Sequence, residues 1–199
     1  MSAPIVVCIP WLKPVPKHMD HFIEWYAYNK PRHDLKLARR FYKATHQVQA
    51  MALRIARTFK ASHILFTEDD HWGYPIDGLD VLLEADKDVI GYRTYFKSYP
   101  FLSMAMRKIK PEMSMIELHK NFVQIEGVGN GDPIQKVDLL TWAFTLVRMS
   151  VFDRMAEAGK NPFDHWGPHP TDSFFCQYCE DLGIDRWCHF GFTIAHGEV

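Results

Sequence analysis

Three consecutive carboxylates, Glu68, Asp69 and Asp70, follow the apolar run at residues 64–66 after a single threonine. Such neighbours repel one another unless a cation or hydrogen-bond donors offset their charge. In an extended segment Glu68 and Asp70 point to the same side, so both can reach one ion. Carboxylate oxygens suit a hard divalent cation, Mg²⁺ or Mn²⁺, which usually bridges to substrate phosphates. We therefore predict a metal site here, with a solvated acidic loop as the alternative.

Two further residues are of types that could complete such a site. Asp172 follows Thr171 at the predicted start of a helix. It is either an acidic residue that interacts favourably with the helix N-terminus or a general base that deprotonates a hydroxyl group. His196 lies in a short predicted strand late in the sequence. A lone histidine is usually structural, but a neutral imidazole is also a common ligand of Mn²⁺-like ions.

The elements that must position these residues alternate along the first half of the chain. Apolar runs predict strands at residues 5–9, 63–67 and 88–92. Helical spacing of apolar residues predicts helices at residues 21–28, 45–59 and 77–85. This alternation is typical of an α/β domain with a largely parallel sheet. In such sheets ligands bind outside the carboxyl ends of the strands, where the acidic triplet falls.

The second half of the sequence is less regular. A loop is predicted at residues 127–133, and strands at residues 101–106, 185–188 and 192–196. A further strand is predicted at residues 137–147, interrupted near Thr141 and Trp142. One helix is predicted to begin at Ser150, with Asp153 contributing to its N-terminal cap. Another is predicted to begin at Thr171 and to end at Gly183. Because no linker or repeat separates these segments, we expect a single domain.

Composition narrows the class of protein. The 199 residues have a formal charge of −1, whereas nucleic-acid-binding domains usually have a clear basic surplus. The segment at residues 36–40 is a local basic patch. No apolar run approaches the roughly 20 residues of a membrane span, and the first residues do not resemble a secretory signal. We therefore expect a cytoplasmic protein without a membrane span.

The cysteines offer a second, weaker metal signal. Cys176 and Cys179 are separated by two residues, and Cys188 follows nine residues later. Zinc sites usually have two closely spaced ligand pairs, so free thiols on a helix and a strand are the favoured interpretation. A zinc site remains the alternative.

Several of these segments resemble the GT-A-fold glycosyltransferases, in particular those of the family 2 type. Residues 61–92 resemble the central part of that family, where an apolar strand ends in an Asp-x-Asp-type motif and a short helix and a further strand follow. Residues 137–148 are similar to its acceptor-side strand pair, residues 171–176 to its catalytic acidic motif, and residues 194–197 to its C-terminal metal histidine. The motifs occur in the family order over about two thirds of the chain. One departure is Glu68, which stands where the family has aspartate.

The resemblance implies a single GT-A-like, Rossmann-like domain with a mostly parallel central sheet flanked by helices. Residues 1–92 would form its nucleotide-sugar-binding half and residues 93–199 its acceptor-side half. Glu68, Asp70 and His196 would bind Mn²⁺ or Mg²⁺, which neutralises the diphosphate leaving group of a UDP- or GDP-sugar. Asp172 would deprotonate the acceptor hydroxyl, and direct attack would invert the anomeric centre.

The remaining site predictions concern substrate contacts. On the donor side they are Pro10, Trp11, Lys13 and Asp69, where Trp11 could stack on a nucleobase and Lys13 could bind a phosphate. On the acceptor side they are Trp142, Trp166 and Thr171, although large aromatic residues more often belong to the core. The acceptor stays open among a glycan, a lipid, a protein and a modified nucleobase.

Two other classes of function are compatible with these residues. A nucleotidyltransferase or other phosphoryl-transfer enzyme also needs an acidic metal site, but it usually has a Gly-rich phosphate loop, and none follows the first strand. A non-catalytic domain that binds nucleotide sugars or carbohydrates would have the same fold. The combination of Glu68, Asp70, Asp172 and His196 favours an enzyme over such a domain.

Overall fold

A computed structural model describes most of the chain. The described residues are 3–12, 16–41, 43–96, 103–110, 112–114, 122–124, 132–164 and 171–197. In chain order the helices and strands are β1 (Ile5–Trp11), α1 (Pro16–Asn29), β2 (Leu35–Phe41), α2 (Thr45–Thr58), β3 (His63–Phe66), β4 (His71–Trp72), α3 (Gly78–Glu84), β5 (Val89–Thr94), β6 (Met106–Lys108), β7 (Phe122–Gln124), β8 (Ile134–Val137), β9 (Thr145–Arg148), α4 (Met149–Glu157), α5 (Thr171–Asp181) and β10 (Arg186–His196).

The main sheet is mixed, with its longest strands parallel. Its order is β2-β1-β3-β9-β5-β10-β4, and β8 also pairs with β10. β1 is parallel to both β2 and β3. β9 is antiparallel to β3 and to β5, so β5 has the same direction as β3, and β10 is parallel to β5. β6 and β7 form a separate two-stranded sheet.

Helices cover both faces of this sheet because the central strands are apolar on both faces. In β1 every residue is buried: Val6 and Cys8 face one core cluster, while Val7 and Ile9 face the other. The first cluster includes the buried faces of α2, α4 and α5, and the second those of α1 and α3. The prediction of an α/β domain with a largely parallel sheet flanked by helices is confirmed at this level.

Several elements of the first half match their predictions closely. β1, β3 and β5 lie where apolar runs predict strands, and α2 and α3 lie where helical spacing predicts helices. β2 is an addition, because residues 36–40 form part of an edge strand rather than a surface patch alone. Its inward-facing residues Leu35 and Ala38 are buried, whereas Arg39 and Arg40 are exposed.

The second half differs more from prediction. The strand predicted at residues 137–147 is interrupted, as expected, around Thr141 and Trp142: β8 ends at Val137 and β9 begins at Thr145. The two strands pair with different neighbours. The two strands predicted late in the sequence are one strand, β10, with a change of register between His189 and Thr193. β6 begins at Met106, at the end of the segment predicted as a strand, and most of the predicted loop lies outside the described residues. The helix predicted to begin at Ser150 begins at Met149. Among the described residues, Asp153, predicted to contribute to its N-terminal cap, makes no capping hydrogen bond, and its Oδ1 instead lies 3.8 Å from Arg57 Nη2.

The two sequence halves share one sheet. β9, from the second half, lies between β3 and β5 of the first half, and β10 pairs with β5 on its other side. The chain therefore forms a single domain. Of the helices in the described ranges, none combines the length and apolar character that a membrane crossing needs.

Candidate functional site

The carboxyl edge of the main sheet collects most of the predicted site residues. β1, β3, β5 and β10 run in the same direction, so their carboxyl ends lie at one edge. Glu68, Asp69 and Asp70 follow the end of β3 there, and His196 is the last residue of β10. This edge is where open α/β sheets bind ligands.

Three side chains at this edge form a group that could hold a metal ion. The ligand atoms of Asp70, His71 and His196 all lie within 4.8 Å of one another. Asp70 Oδ1 is 3.4 Å from His71 Nδ1, and Asp70 Oδ2 is 3.5 Å from His196 Nε2. Two atoms that share one ion at about 2.1 Å in a tetrahedral arrangement are about 3.4 Å apart. The donor atoms are therefore close to the spacing that a single ion requires.

Pairing between β4 and β10 brings the two histidines together. His71 lies opposite His196 in this antiparallel pair, and their rings stack with centroids 4.3 Å apart. The Gly197 N–H donates to the Asp70 carbonyl at 2.7 Å, and Trp72 Nε1 donates to the Gly197 carbonyl at 2.9 Å. The backbone of the acidic turn is thus fixed to the end of β10.

A hydrogen bond selects one tautomer of the His196 ring. Its Nδ1 lies 2.8 Å from the Tyr95 carbonyl oxygen, which can only accept a hydrogen bond. Nδ1 therefore carries the proton, and the lone pair is on Nε2, the atom that faces Asp70. Histidine ligands of metal ions commonly donate their second ring N–H to a carbonyl in this way.

The metal-ligand prediction is altered by one residue. The sequence predicts Glu68, Asp70 and His196, whereas the structure groups Asp70 and His196 with His71. Glu68 Oε2 lies 3.6 Å from His71 Nδ1, at the margin of this group. His71 directly follows the acidic triplet, but only the antiparallel pairing with β10 shows that it faces His196.

A buried polar network supports the acidic turn from below. Tyr74 Oη and His18 Nδ1 both donate to the His71 carbonyl, each at 2.7 Å, and Thr67 Oγ1 lies 2.9 Å from Tyr74 Oη. Trp11 Nε1 donates to His18 Nε2 at 3.1 Å. Since His18 Nε2 accepts and Nδ1 donates, the ring is neutral, and burial lowers its pKa accordingly.

Trp11 and Trp142, predicted as substrate platforms, are core residues in this structure. Each is 3% exposed. The Trp142 ring packs between Phe66 and Phe175, with centroids 4.4 and 4.7 Å away. Trp11 packs against Phe22 and Phe41. Neither ring offers an open face for a sugar or a base, because large apolar rings at strand ends are used to close the core.

Trp142 nevertheless connects the start of α5 to the carboxyl edge. Its Nε1 donates a hydrogen bond to Thr171 Oγ1 at 2.9 Å, so the Thr171 hydroxyl, predicted to contact the acceptor, here accepts a hydrogen bond from the tryptophan. Trp142 precedes β9, whose first residue, Thr145, pairs with Phe66 at the carboxyl end of β3. The amino terminus of α5, with Asp172 in its first turn, is therefore anchored at the same edge as the acidic triplet.

Asp172 has an environment suited to acid–base chemistry. Burial raises the pKa of its carboxyl group from 3.8 to about 6, although the Ser173 N–H donates to Oδ1 at 2.8 Å and opposes the rise. A general base is most effective when its pKa lies near the working pH. An ordinary helix-capping aspartate would keep a low pKa, so the raised value distinguishes Asp172 from one.

The other residues predicted to contact the substrates lie in different environments. Pro10 is buried near the end of β1, opposite Arg40 of β2, and Asp69 is partly exposed after β3. Lys13 and Trp166 lie outside the described residues.

The zinc alternative for the cysteines gains no support. Cys176, Cys179 and Cys188 are buried free thiols in the core cluster shared by α2, α4 and α5. Burial raises the pKa of all three, that of Cys176 to about 12, as expected of thiols enclosed by apolar side chains. Within the described ranges, the group formed by Asp70, His71 and His196 is the one with metal-ligand geometry.

Comparison with known proteins identifies the fold but no family. No protein-family model matches the sequence, and no curated protein matches it. Among solved structures, the chain is similar to A197 from STIV, with a TM-score of 0.59 and 11% sequence identity. The match covers 100% of this chain and 87% of A197. A likeness at this identity establishes a shared fold.

Proposed function

We propose that the protein is a metal-dependent glycosyltransferase that moves a sugar from a nucleotide-sugar donor to an acceptor hydroxyl. The observation that carries the proposal is the arrangement at one sheet edge of a metal-ligand group and a carboxylate with raised pKa. Glycosyl transfer needs both: positive charge at the leaving diphosphate and a base at the attacking hydroxyl.

Asp70, His71 and His196 would hold the divalent ion. The ion, when bound, would supply Lewis-acid stabilisation of the diphosphate as it leaves. A donor set of two imidazoles and one carboxylate suits Mn²⁺ better than Mg²⁺, which prefers oxygen ligands. Glu68 and Asp69 would lie at the margin of this site, where their charge strengthens its attraction for cations.

Asp172 would act on the acceptor. A carboxylate whose pKa is near 6 is ionised at neutral pH but basic enough to share the proton of an attacking hydroxyl. The first turn of α5 holds the carboxylate through the Ser173 N–H, while the Trp142–Thr171 hydrogen bond fixes the start of the helix. Direct attack assisted by one base inverts the anomeric configuration.

The test is a panel of UDP- and GDP-sugars incubated with the protein and Mn²⁺, with release of nucleoside diphosphate as the readout. We expect release to need the metal and to be lost in Asp70→Asn and Asp172→Asn. Asp181→Asn, a change at the exposed end of the same helix, is the matched control. Release of pyrophosphate or a nucleoside monophosphate would indicate phosphoryl chemistry, and tight binding without turnover would indicate a binding domain.

A further inference from the structure

A pocket on the α2 side of the sheet is separate from the metal-ligand group. It has a volume of about 440 Å³, within the range of small-molecule sites. Its lining comes from the end of β2 and the segment after it, from α2 and from the loop after α4. Basic side chains supply much of the lining: Arg40, Lys43, His46 and Arg54.

The described lining of this pocket is positively charged. Among the lining residues that the structure describes, none is an aspartate or a glutamate. In the part of the chain that the structure describes, Arg40, Lys43 and Arg54 are exposed and form no ion pair. Asp164 directly follows the lining residue Phe163, but its carboxylate accepts hydrogen bonds from Asn161 and Tyr178, each at 2.7 Å.

The sequence around the pocket shows the same imbalance on a larger scale. Between Asp34 and Glu68 there are seven lysines and arginines and no acidic residue, although the whole chain has a formal charge of −1. Two of the seven are paired, Lys36 with Asp34 and Arg57 with Asp153. Of the other five, Arg40, Lys43 and Arg54 line the pocket, so more than half of the remaining charge is concentrated at one concave place.

The pocket is also close to the carboxyl edge. Arg40 lies opposite Pro10 near the ends of β2 and β1, and α2 begins just beyond. Phe163 lines the pocket and packs against Phe66 and Trp142, with ring centroids 5.9 and 6.4 Å away. The same aromatic group therefore forms a wall of the pocket and supports the start of α5.

We propose that this pocket binds the phosphate group of a small phosphorylated molecule, which serves as the acceptor. Arginine and lysine form charge-assisted hydrogen bonds to phosphate oxygens, and the apolar residues Val48, Met51 and Phe163 can contact the organic part. The size of the pocket fits a sugar phosphate. The role as acceptor rests on the proposed function, whereas the binding of phosphate does not.

The binding test uses metal-free protein, ribose 5-phosphate and inorganic phosphate, with ribose as the uncharged comparison. We expect both phosphates, but not ribose, to shift the backbone amide NMR signals of α2 and of Asn161. Lys43→Ala and Arg54→Ala should each weaken binding about tenfold or more, because each removes a charge-assisted hydrogen bond. Both side chains are exposed, so thermal melting should change little.

Arg57→Ala is the matched control, since this arginine lies on the same helix but outside the pocket. Two results would overturn the pocket in favour of an extended nucleic-acid surface. The first is that Arg57→Ala weakens phosphate binding as much as Lys43→Ala and Arg54→Ala do. The second is that a single-stranded oligonucleotide binds more tightly than ribose 5-phosphate and that its binding depends on Lys43, Arg54 and Arg57. If neither ribose 5-phosphate nor inorganic phosphate bound at a concentration of about 10 mM, the proposed phosphate site would be wrong. Phosphate binding without any nucleotide-sugar turnover would instead contradict the proposed function and leave the pocket standing.

Discussion

His196 Nδ1 lies 2.8 Å from the carbonyl oxygen of Tyr95, and this contact directs the other ring nitrogen toward Asp70. The histidine is therefore oriented by the residue that follows β5, the strand beside its own, before any ion arrives. Preorganisation of this kind raises metal affinity, because the ligand loses less freedom on binding.

The metal-ligand group gives the first prediction. His71→Gln, His196→Gln and Asp70→Asn should each weaken Mn²⁺ binding at least about 100-fold, since loss of a direct ligand exceeds the 10- to 100-fold typical of its supporting residues. Glu68→Gln should weaken it less, because Glu68 lies outside the group. Isothermal titration calorimetry with Mn²⁺ measures all four. If Glu68→Gln had the largest effect and His71→Gln none, the ligand set predicted from sequence would be the correct one.

Asp172 gives a prediction in which activity and stability change in opposite directions. Asp172→Asn should lower kcat by about 10²- to 10⁴-fold, the usual contribution of a general base, with little change in donor binding. The folded-state pKa of about 6 lies above the unfolded value of 3.8, so the native carboxyl stabilises the fold at low pH and this stability is lost as pH rises through 6. The Asn variant should therefore be more stable than the parent at about pH 8, by up to about 3 kcal/mol, and not at about pH 4.

Urea denaturation at the two pH values measures this difference, and turnover of the active nucleotide sugar measures kcat. NMR of the product's anomeric proton should show inversion. Near-normal turnover by the Asn variant, or retention of configuration, would show that Asp172 is not the base.

The buried network below the acidic turn gives a third prediction. Tyr74→Phe removes one donor to the His71 carbonyl and leaves the Thr67 hydroxyl without its tyrosine partner. We expect a loss of about 1–3 kcal/mol in the free energy of unfolding, together with weaker Mn²⁺ binding because the turn is less constrained. Tyr92→Phe is the control, since Tyr92 is also buried and donates to the Gly78 carbonyl away from the turn. It should lower stability without changing metal affinity, and equal effects of both variants on the metal would contradict the supporting role.

Histidine protonation gives a fourth prediction, for acid conditions. Burial, aided by the nearby Arg148, lowers the pKa of His63 from 6.5 to about 4, and burial lowers that of His18 as well. Between these values the unfolded chain binds more protons, so stability is complete above about pH 6.5 and falls as the pH decreases toward 4. His63→Gln should remove up to about 3 kcal/mol of this pH dependence, as measured by chemical denaturation across the range. An unchanged pH profile would mean that the His63 imidazole has the same pKa in the folded and the unfolded chain.

Sequence patterns predict the central strands well because β1, β3 and β5 are short, continuous apolar runs, and such runs are typical of strands buried on both faces of a sheet. They fail for β2, since its short apolar part is interrupted by Lys36 and followed by exposed arginines, so that it resembles a charged surface segment. They predict the interruption near Thr141 and Trp142, but not that the strands on either side of it pair with different neighbours, because pairing partners depend on the tertiary fold. In the site, the acidic triplet, Asp172 and His196 stand out by type and context, whereas His71 becomes recognisable only once its partner strand is known.

The insertion of β9 between β3 and β5 bears on how the chain folds. These two strands are close in sequence, yet neither can complete its pairing until a segment from much later in the chain arrives between them. Contacts of such sequence separation form slowly, because the entropy of closing the intervening loop opposes them. A nascent chain that ended at residue 92 would present two apolar strand edges side by side, and such edges associate readily with other chains. Rapid capture of β9 would therefore protect newly synthesised molecules from aggregation as well as assemble the sheet edge on which the histidines and carboxylates meet.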